Sequence, residues 1–320
     1  MAGEFELIKR YFADRGGGAG VVLGVGDDAA LLDVPEGHEL VAATDTIVAG
    51  VHFPEDCPAR AIGHRALAVN LSDLAAMGAE PRWALLALTL PAEDPRWLEQ
   101  FSAGFHALAA RSGSALVGGD TTRGPLAITV TALGSVPRGT ALRRDGARAG
   151  DALCVSGTLG DAAAGLGLFR GDFTTRVPGV HPLILRFEFP EPRLALGRAL
   201  CGVATACIDV SDGLLADVGH LLEASGVGAR LEVDAVPLSV PMELAIPAER
   251  RRALALAGGD DYELAFSCAE SAVEGLAARA AELGVQVTRI GRIEQAAGLR
   301  CVDAEGAAFD PGARGYEHFR

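Results

Sequence analysis

The chain has 320 residues, 49% apolar and 22% charged, which is enough to fill two medium cores and too apolar for a disordered protein. Its formal net charge of −14 opposes nucleic acid and anionic lipid as partners. Six scattered cysteines, none in a CxxC pair, argue against a zinc site or disulfide framework and fit a reducing, cytoplasmic setting.

Along the chain, Phe5, Ile8 and Phe12 recur at helical spacing and predict a short opening helix with one buried face. The start MAGEFELIKRYF carries acids where a signal peptide needs bases, and no apolar run reaches the length of a membrane span. Gly16-Gly17-Gly18-Ala19-Gly20 then reads as a connector or a phosphate loop; no GxxxxGK[ST] follows, which favours the connector. Lys9 is the only lysine, so no site that requires a phosphate-binding lysine can be completed elsewhere.

VVLGVGDD, LVAATDT, WALLALTL, SALVGGD and LAITVTALGSV read as strands. ARAIGHRALAVNLSDLAAMG and PRWLEQFSAGFHALAARSG between them read as helices. The basic, turn-rich stretch 137–150 marks a domain boundary, giving domains 1–140 and 148–320. After it, strand, Gly turn and helix recur through DALCVSGTLGDAAAGLGL, ACIDVSDGLLADVGHLLEAS and GGDDYELAFSC. Both halves are therefore α/β or α+β.

The acids are the informative feature. Asp27, Asp28, Asp45, Asp73, Asp120, Asp209 and Asp212 are each expected where a strand gives way to a turn or helix start. Asp73 or Asp212 alone reads equally well as a helix N-cap. If the set converges, each pair of carboxylates at ~4 Å costs about 4 kcal/mol at an effective dielectric near 20, so cations must neutralise it. Hard oxygen donors without His or Cys select magnesium or manganese over zinc, and magnesium readily shares its shell with phosphates. Arg123, three residues after Asp120, suits an adjacent phosphate oxygen. Arg143 and Arg144 read either as a phosphate clamp or as a solvated linker.

GEFELIKRYF, GVGDDAALL, ATDTIVAGVHF, AVNLSDLAAMGAEP, GGDTTRGPL, IDVSDGLLADVGHL, GGDDYELAF and GYEHF follow one another over nearly the whole chain. Together they closely resemble the thiamine-monophosphate kinases and, more distantly, aminoimidazole ribonucleotide synthetases and selenophosphate synthetases. The resemblance implies two domains, with an N-terminal mixed sheet that completes a β-barrel across a homodimer and a C-terminal α/β domain. It also implies a nucleotide held between the domains, and ATP-dependent phosphorylation of thiamine monophosphate to thiamine diphosphate with several Mg2+ ions.

By position, Asp28, Thr44, Asp45, Asp73, Asp120, Asp209 and Asp212 match metal ligands of the family. Gly119, Asp120, Arg144 and Ser211 match ATP contacts, and His52, Asp260 and Tyr316 match contacts to the thiamine substrate. Without the resemblance, His52 reads either as a substrate contact or as a turn cap, and Tyr316 either as an aromatic face for a cation or as tail packing. Two positions depart from the family: Ala43 stands where a serine is usual, and Asp260 replaces the glutamate of GGEDYEL, shortening that carboxylate by a methylene. The acceptor is a phosphate monoester, mostly dianionic at neutral pH, so direct transfer without a general base or phosphoenzyme is expected, with Asp45, Asp73 and Asp120 acting as metal ligands. The alternatives are another ATP-dependent member of the superfamily and a non-catalytic nucleotide or metal-binding regulator. A selenophosphate synthetase needs a reactive residue in a glycine-rich N-terminal segment, whereas the first cysteine here is Cys57.

Overall fold

Asp94-Pro95 starts a helix as the residue types require. The Asp94 carboxylate accepts from the backbone N–H of Arg96 at 2.9 Å and of Trp97 at 3.2 Å, Pro95 takes the first turn, and Gly113 closes the helix in the left-handed conformation. The computed structural model describes residues 10–12, 17–173, 182–312 and 315. The expectations for Phe5, Ile8, Lys9, Gly16 and Tyr316 lie outside the described residues.

The chain divides into two compact units, Met1–Leu74 with Ala79–Gly139, and Ala75–Gly78 with Thr140–Arg320. The first holds a two-stranded hairpin, β1 (Val21–Leu23) and β2 (Leu31–Leu32), and a four-stranded sheet. That sheet runs in the order β3 (His38–Val48), β6 (Ala127–Pro137), β4 (Glu80–Leu90), β5 (Ala115–Arg123). β6 pairs antiparallel with β3 and β4, and β5 lies parallel to β4 because α2 (Pro95–Ser112) carries the chain back between them.

α1 (Ala59–Ala76) is buried nearly all round from Ala61 to Ala76, including Arg65, Asn70 and Ser72. It meets α2 at two glycines: a Cβ on Gly63 would lie 2.0 Å from the Phe101 carbonyl oxygen, and one on Gly104 2.0 Å from that of Arg60. Nothing larger lets these backbones approach. Leu67 and Leu71 of α1, Phe105 of α2, and Ile128 and Val130 of β6 fill the core. Ala19 and Gly20 belong to a packed connector, since the indole N–H of Trp83 donates to the Ala19 carbonyl at 3.1 Å.

The second unit is built on a six-stranded mixed sheet. Its order is β12 (Gly298–Val302), β9 (Gly228–Glu232), β11 (Val287–Glu294), β7 (Ala152–Ser156), β10 (Glu263–Cys268), β8 (Ala204–Val210). Leu153 and Val155 of β7 join one core with Val218 and Leu221 of α6 (Leu214–Ser225). Ala152 and Cys154 join another with Leu196 of α5 (Leu194–Leu200) and Leu276 of α9 (Val273–Glu282). Both faces are covered, which is why β7 reads as an unbroken apolar run. α3 (Asp161–Arg170), α4 (Pro182–Glu188), α7 (Val240–Ala245) and α8 (Ala248–Ala257) complete the unit.

The two-unit mixed α/β architecture expected from sequence is present. β3 and β5 are the edges of an open sheet in the single chain. No helix among the described residues is long and apolar enough to cross a membrane.

Candidate functional site

In the first unit, the loop between β1 and β2 brings Asp27 and Asp28 to the rim of a cavity of about 1010 Å³ whose opposite wall is Gly118, Gly119, Asp120 and Thr121 of β5. Leu85, Leu86 and Val117 line its apolar side. The Asp28 N–H donates to the Asp27 carboxylate at 2.8 Å, tying the acidic pair into one turn. Gly119 sits at φ 153°, and a Cβ there would be 1.8 Å from the Leu86 carbonyl oxygen. A ligand in the cavity therefore meets bare main chain at Gly119 and a carboxylate at Asp120.

A second acidic position lies where β3 crosses α1. The Asp45 N–H donates to Asn70 Oδ1 at 3.0 Å, and Asn70 Nδ2 donates to the Ala66 carbonyl at 3.1 Å. Asp73 lies three residues beyond Asn70 and so shares its helix face. Adjacent strand residues point to opposite faces, so Thr44 turns away from Asp45, and its hydroxyl shares a hydrogen bond of 2.9 Å with that of Thr131. Any metal contact from Thr44 thus falls to its main chain. His52 lies in the turn after β3, where its Nδ1 accepts from the Val48 N–H at 3.0 Å; in the neutral ring this places the proton on Nε2.

These placements correct the expectation that each acid ends a strand or starts a helix. Asp45 and Asp120 lie inside β3 and β5, because both strands keep their ladder pairing for three residues further. Asp73 lies near the C-terminal end of an 18-residue helix, so it is not an N-cap. Asp212 does precede a helix, but Gly213 is the cap residue and makes no side-chain cap bond.

In the second unit, β8 ends in Asp209-Val210, and Ser211-Asp212-Gly213 leads into α6. Asp209 is buried. The loop is held by an acid that motif reading passed over. Asp217, 3% exposed, accepts on one oxygen the N–H of Ser211 at 3.0 Å, of Asp212 at 3.0 Å and of Gly213 at 3.1 Å. Burial first, and then the charges of Asp209 and Asp212, push its carboxyl up to about 7. The cue in the sequence was a third acid in DVSDGLLADVGHL, five residues after Asp212.

Asp260 adjoins this loop, its N–H donating to the Ser211 carbonyl at 2.8 Å while the Tyr262 N–H donates to that of Val210 at 2.9 Å. Both residues are left-handed, Asp260 at φ 70° and Tyr262 at φ 52°, and the Tyr262 hydroxyl donates to the Asp260 carboxylate at 3.0 Å. Asp261 faces inward and accepts from Gly160 and Ala162 at the start of α3. Gly315 also lies on this loop, since a Cβ there would be 2.9 Å from the Asp212 carbonyl oxygen.

Of the boundary arginines, Arg143 holds Asp145 through two nitrogens at 2.8 and 2.5 Å. The Arg144 main chain is fixed by the Ser225 hydroxyl at 2.7 Å. Arg123 is exposed at the end of β5. Among the described residues no three His, Cys, Asp or Glu side chains stand close enough together to hold a metal ion by themselves. The acids lie in separate places: Asp27, Asp28 and Asp120 line one cavity, Asp45 sits on β3 where it meets α1 with Asp73 on the same helix, and Asp209 and Asp212 flank one loop.

Residues 26–136 match the AIR synthase related protein, N-terminal domain, and residues 148–303 match the AIR synthase related protein, C-terminal domain. A thiamine-monophosphate kinase of Salmonella typhimurium is 46% identical over 321 residues, 99% of this chain and 98% of that protein. The crystal structure of thiamine-monophosphate kinase from Stenotrophomonas maltophilia superposes with a TM-score of 0.85 at 47% identity, covering 91% of this chain and 93% of the other. A structure described as AaThiL complexed with AMPPCP and TMP superposes with a TM-score of 0.80 at 32% identity, covering 90% and 89%.

Proposed function

This chain belongs to the thiamine-monophosphate kinases among the AIR synthase related proteins, and from that premise we propose how its residues carry the reaction. It transfers the terminal phosphoryl group of ATP to thiamine monophosphate, giving thiamine diphosphate. The observation that carries this activity is the match, over nine-tenths of the chain, to a structure holding AMPPCP and TMP together.

The donor set fits magnesium: every candidate ligand is a carboxylate, hydroxyl or carbonyl oxygen, the hard donors that magnesium takes together with phosphate oxygens and water. Asp28, Asp45, Asp73 and Asp120 of the first unit, with the main chain of Thr44, and Asp209 and Asp212 of the second would hold it. Bound there, magnesium would supply the positive charge needed to screen two approaching polyanions.

The chain's own groups do the rest. Gly119 exposes main chain so that phosphate can come close, and Ser211 and Arg144 offer a hydroxyl and a guanidinium to the nucleotide. The acceptor is largely ionised at neutral pH, so Asp120 and its fellows have no proton to remove. They position and screen, and direct in-line transfer needs no phosphoenzyme. At the organic end, Asp260, held by Tyr262, and Tyr316 suit a cationic thiazolium, and Nε2–H of His52 suits an acceptor atom on the substrate.

We further propose a cytoplasmic homodimer in which the open sheet of the first unit closes a barrel with its copy. Supporting this are the outward face of β3, where Leu40 is half exposed, and the exposed Val22 and Leu31 of the hairpin. Coupled measurement of ADP and thiamine diphosphate, with ATP, thiamine monophosphate or Mg2+ omitted in turn, tests the reading. ATP turnover indifferent to thiamine monophosphate, or full turnover in excess chelator, would defeat it.

A further inference from the structure

The structure assigns to Asp217 the role of positioning residue for both sides of the reaction: its buried carboxylate fixes the main chain of the Ser211–Gly213 loop, and through Ser211 that of Asp260. This rests on the functional reading above.

A single Asp217 oxygen gathers three consecutive backbone N–H groups at 3.0, 3.0 and 3.1 Å. Such convergence forces the chain at Ser211, Asp212 and Gly213 to curve around the anion, as peptide nests do. The peptide carrying that curve also serves as acceptor, because the Ser211 carbonyl takes the Asp260 N–H at 2.8 Å. Asp217 thus lies beneath the residue proposed to meet ATP, the one proposed to hold metal and the one proposed to meet the thiamine moiety. All these contacts lie within the second unit.

Stability alone does not account for an acid here. Asp217 sits in the first turns of α6 among Leu214, Leu215 and Val218, all buried, where an apolar side chain would add to the core. A carboxylate at 3% exposure instead gives up its hydration, replaced only in part by its three N–H partners. What it gains is a loop whose three peptide groups are set before any ligand arrives. Residues of this kind, one step behind the ligands, commonly change metal affinity or activity 10- to 100-fold when replaced.

Asp217→Asn keeps the size and an acceptor oxygen but lacks the charge that holds three donors, and Asp217→Ala removes the acceptor. Two readouts are needed: Mn2+ binding to the full chain by electron paramagnetic resonance, with and without a non-hydrolysable ATP analogue, and steady-state kinetics with both substrates varied. Asp217→Asn is expected to weaken Mn2+ binding in the presence of the analogue by about 10-fold or more and to raise KM for ATP and for thiamine monophosphate together, with Asp217→Ala more severe. Leu221→Ala, which loosens α6 from beneath without touching the loop, is the control; its folded fraction should bind Mn2+ as wild type does. Wild-type Mn2+ affinity and kinetics in Asp217→Asn would overturn the proposal, and so would an equal loss of Mn2+ affinity in Leu221→Ala. Should Asp217→Asn fail to fold, Asp217→Glu, which moves the charge by one methylene, is read in the same way. The binding arm needs no turnover, so a chain that binds Mn2+ and nucleotide but ignores thiamine monophosphate would defeat the functional reading while still deciding the role of Asp217.

Discussion

The Leu86 carbonyl oxygen occupies the space that a side chain on Gly119 would need, 1.8 Å from the position of its Cβ. β4 and β5 pair at this point, Leu86 opposite Gly119 and Ala87 opposite Asp120, so a larger residue at 119 must push β5 outward and carry Asp120 with it. Gly119→Ala is expected to fold, since β5 is an edge strand, but to lose on the order of 1–3 kcal/mol of stability. Its kcat/KM for ATP should fall by about 100-fold or more, because a displacement near 1 Å is that costly. Thermal melting and initial-rate kinetics measure both effects, and an unimpaired kcat/KM would remove Gly119 from the nucleotide site.

Asp120 itself is exposed, so replacing it should scarcely touch the fold. Asp120→Asn keeps the shape and removes a full charge from the wall of the cavity. Its melting temperature should stay close to wild type, as for most surface substitutions, while kcat falls by about 100-fold or more. Turnover near the wild-type rate would strike Asp120 from the ligands.

The pattern of elements was legible in the sequence wherever local chemistry decides it. Asp94-Pro95 and Gly113 bracket α2, and the Ala- and Leu-rich runs mark α1 and α2. The positions of the acids within those elements were less legible, since the length of β3 and β5 depends on ladder partners far along the chain, such as Thr131 opposite Thr44. Asp217, Asp261 and Glu263 were read only as letters of motifs. The partners of Asp261 and Glu263 are backbone N–H groups and arginines supplied by remote segments, which no local spacing reveals; those of Asp217 lie four to six residues back, but spacing alone does not show that the loop curls to gather them. GGDDYEL thus splits by residue: Asp260 borders the candidate site, Asp261 ties down α3, and Glu263 is sealed inside.

Tyr262 holds the Asp260 carboxylate from two residues away, its hydroxyl donating at 3.0 Å. Because Asp260 is one methylene shorter than the glutamate usual in the family, its direction is worth fixing. Tyr262→Phe should raise KM for thiamine monophosphate by about 10-fold or more, the loss of one hydrogen bond to a charged group, with KM for ATP little changed. An equal rise in both constants would mean that the substitution disturbs the loop as a whole.

Glu263 is fully buried between Arg186, Arg193 and the Ser156 hydroxyl, which donates at 2.5 Å. Burial pushes its carboxyl upward, but the hydrogen bond and charge of Arg193, then Arg186 and Ser156, outweigh it and hold the group below its ordinary 4.5. Glu263→Gln leaves two arginines facing a neutral amide and should cost about 3–5 kcal/mol in urea unfolding, since breaking a buried pair strands its charges. A loss below about 1 kcal/mol would show that solvent reaches the cluster and screens it.

Asp261 behaves in the opposite sense. At 1% exposure, burial dominates and lifts its carboxyl from 3.8 to about 8, against the pull of the Gly160 and Ala162 N–H groups. The folded chain therefore keeps a proton that the unfolded chain has already released between those two values. For such a group the contribution to stability is complete below the unfolded pKa and is lost as pH rises through the folded one. Asp261→Asn preserves an oxygen for both N–H donors and cannot ionise. The urea midpoint of wild type should accordingly fall behind that of Asp261→Asn as pH is raised from about 5 to 9, and the gap should level off beyond. Parallel midpoints across that range would mean that Asp261 is ionised throughout, with its two N–H bonds at the start of α3 outweighing the cost of burial.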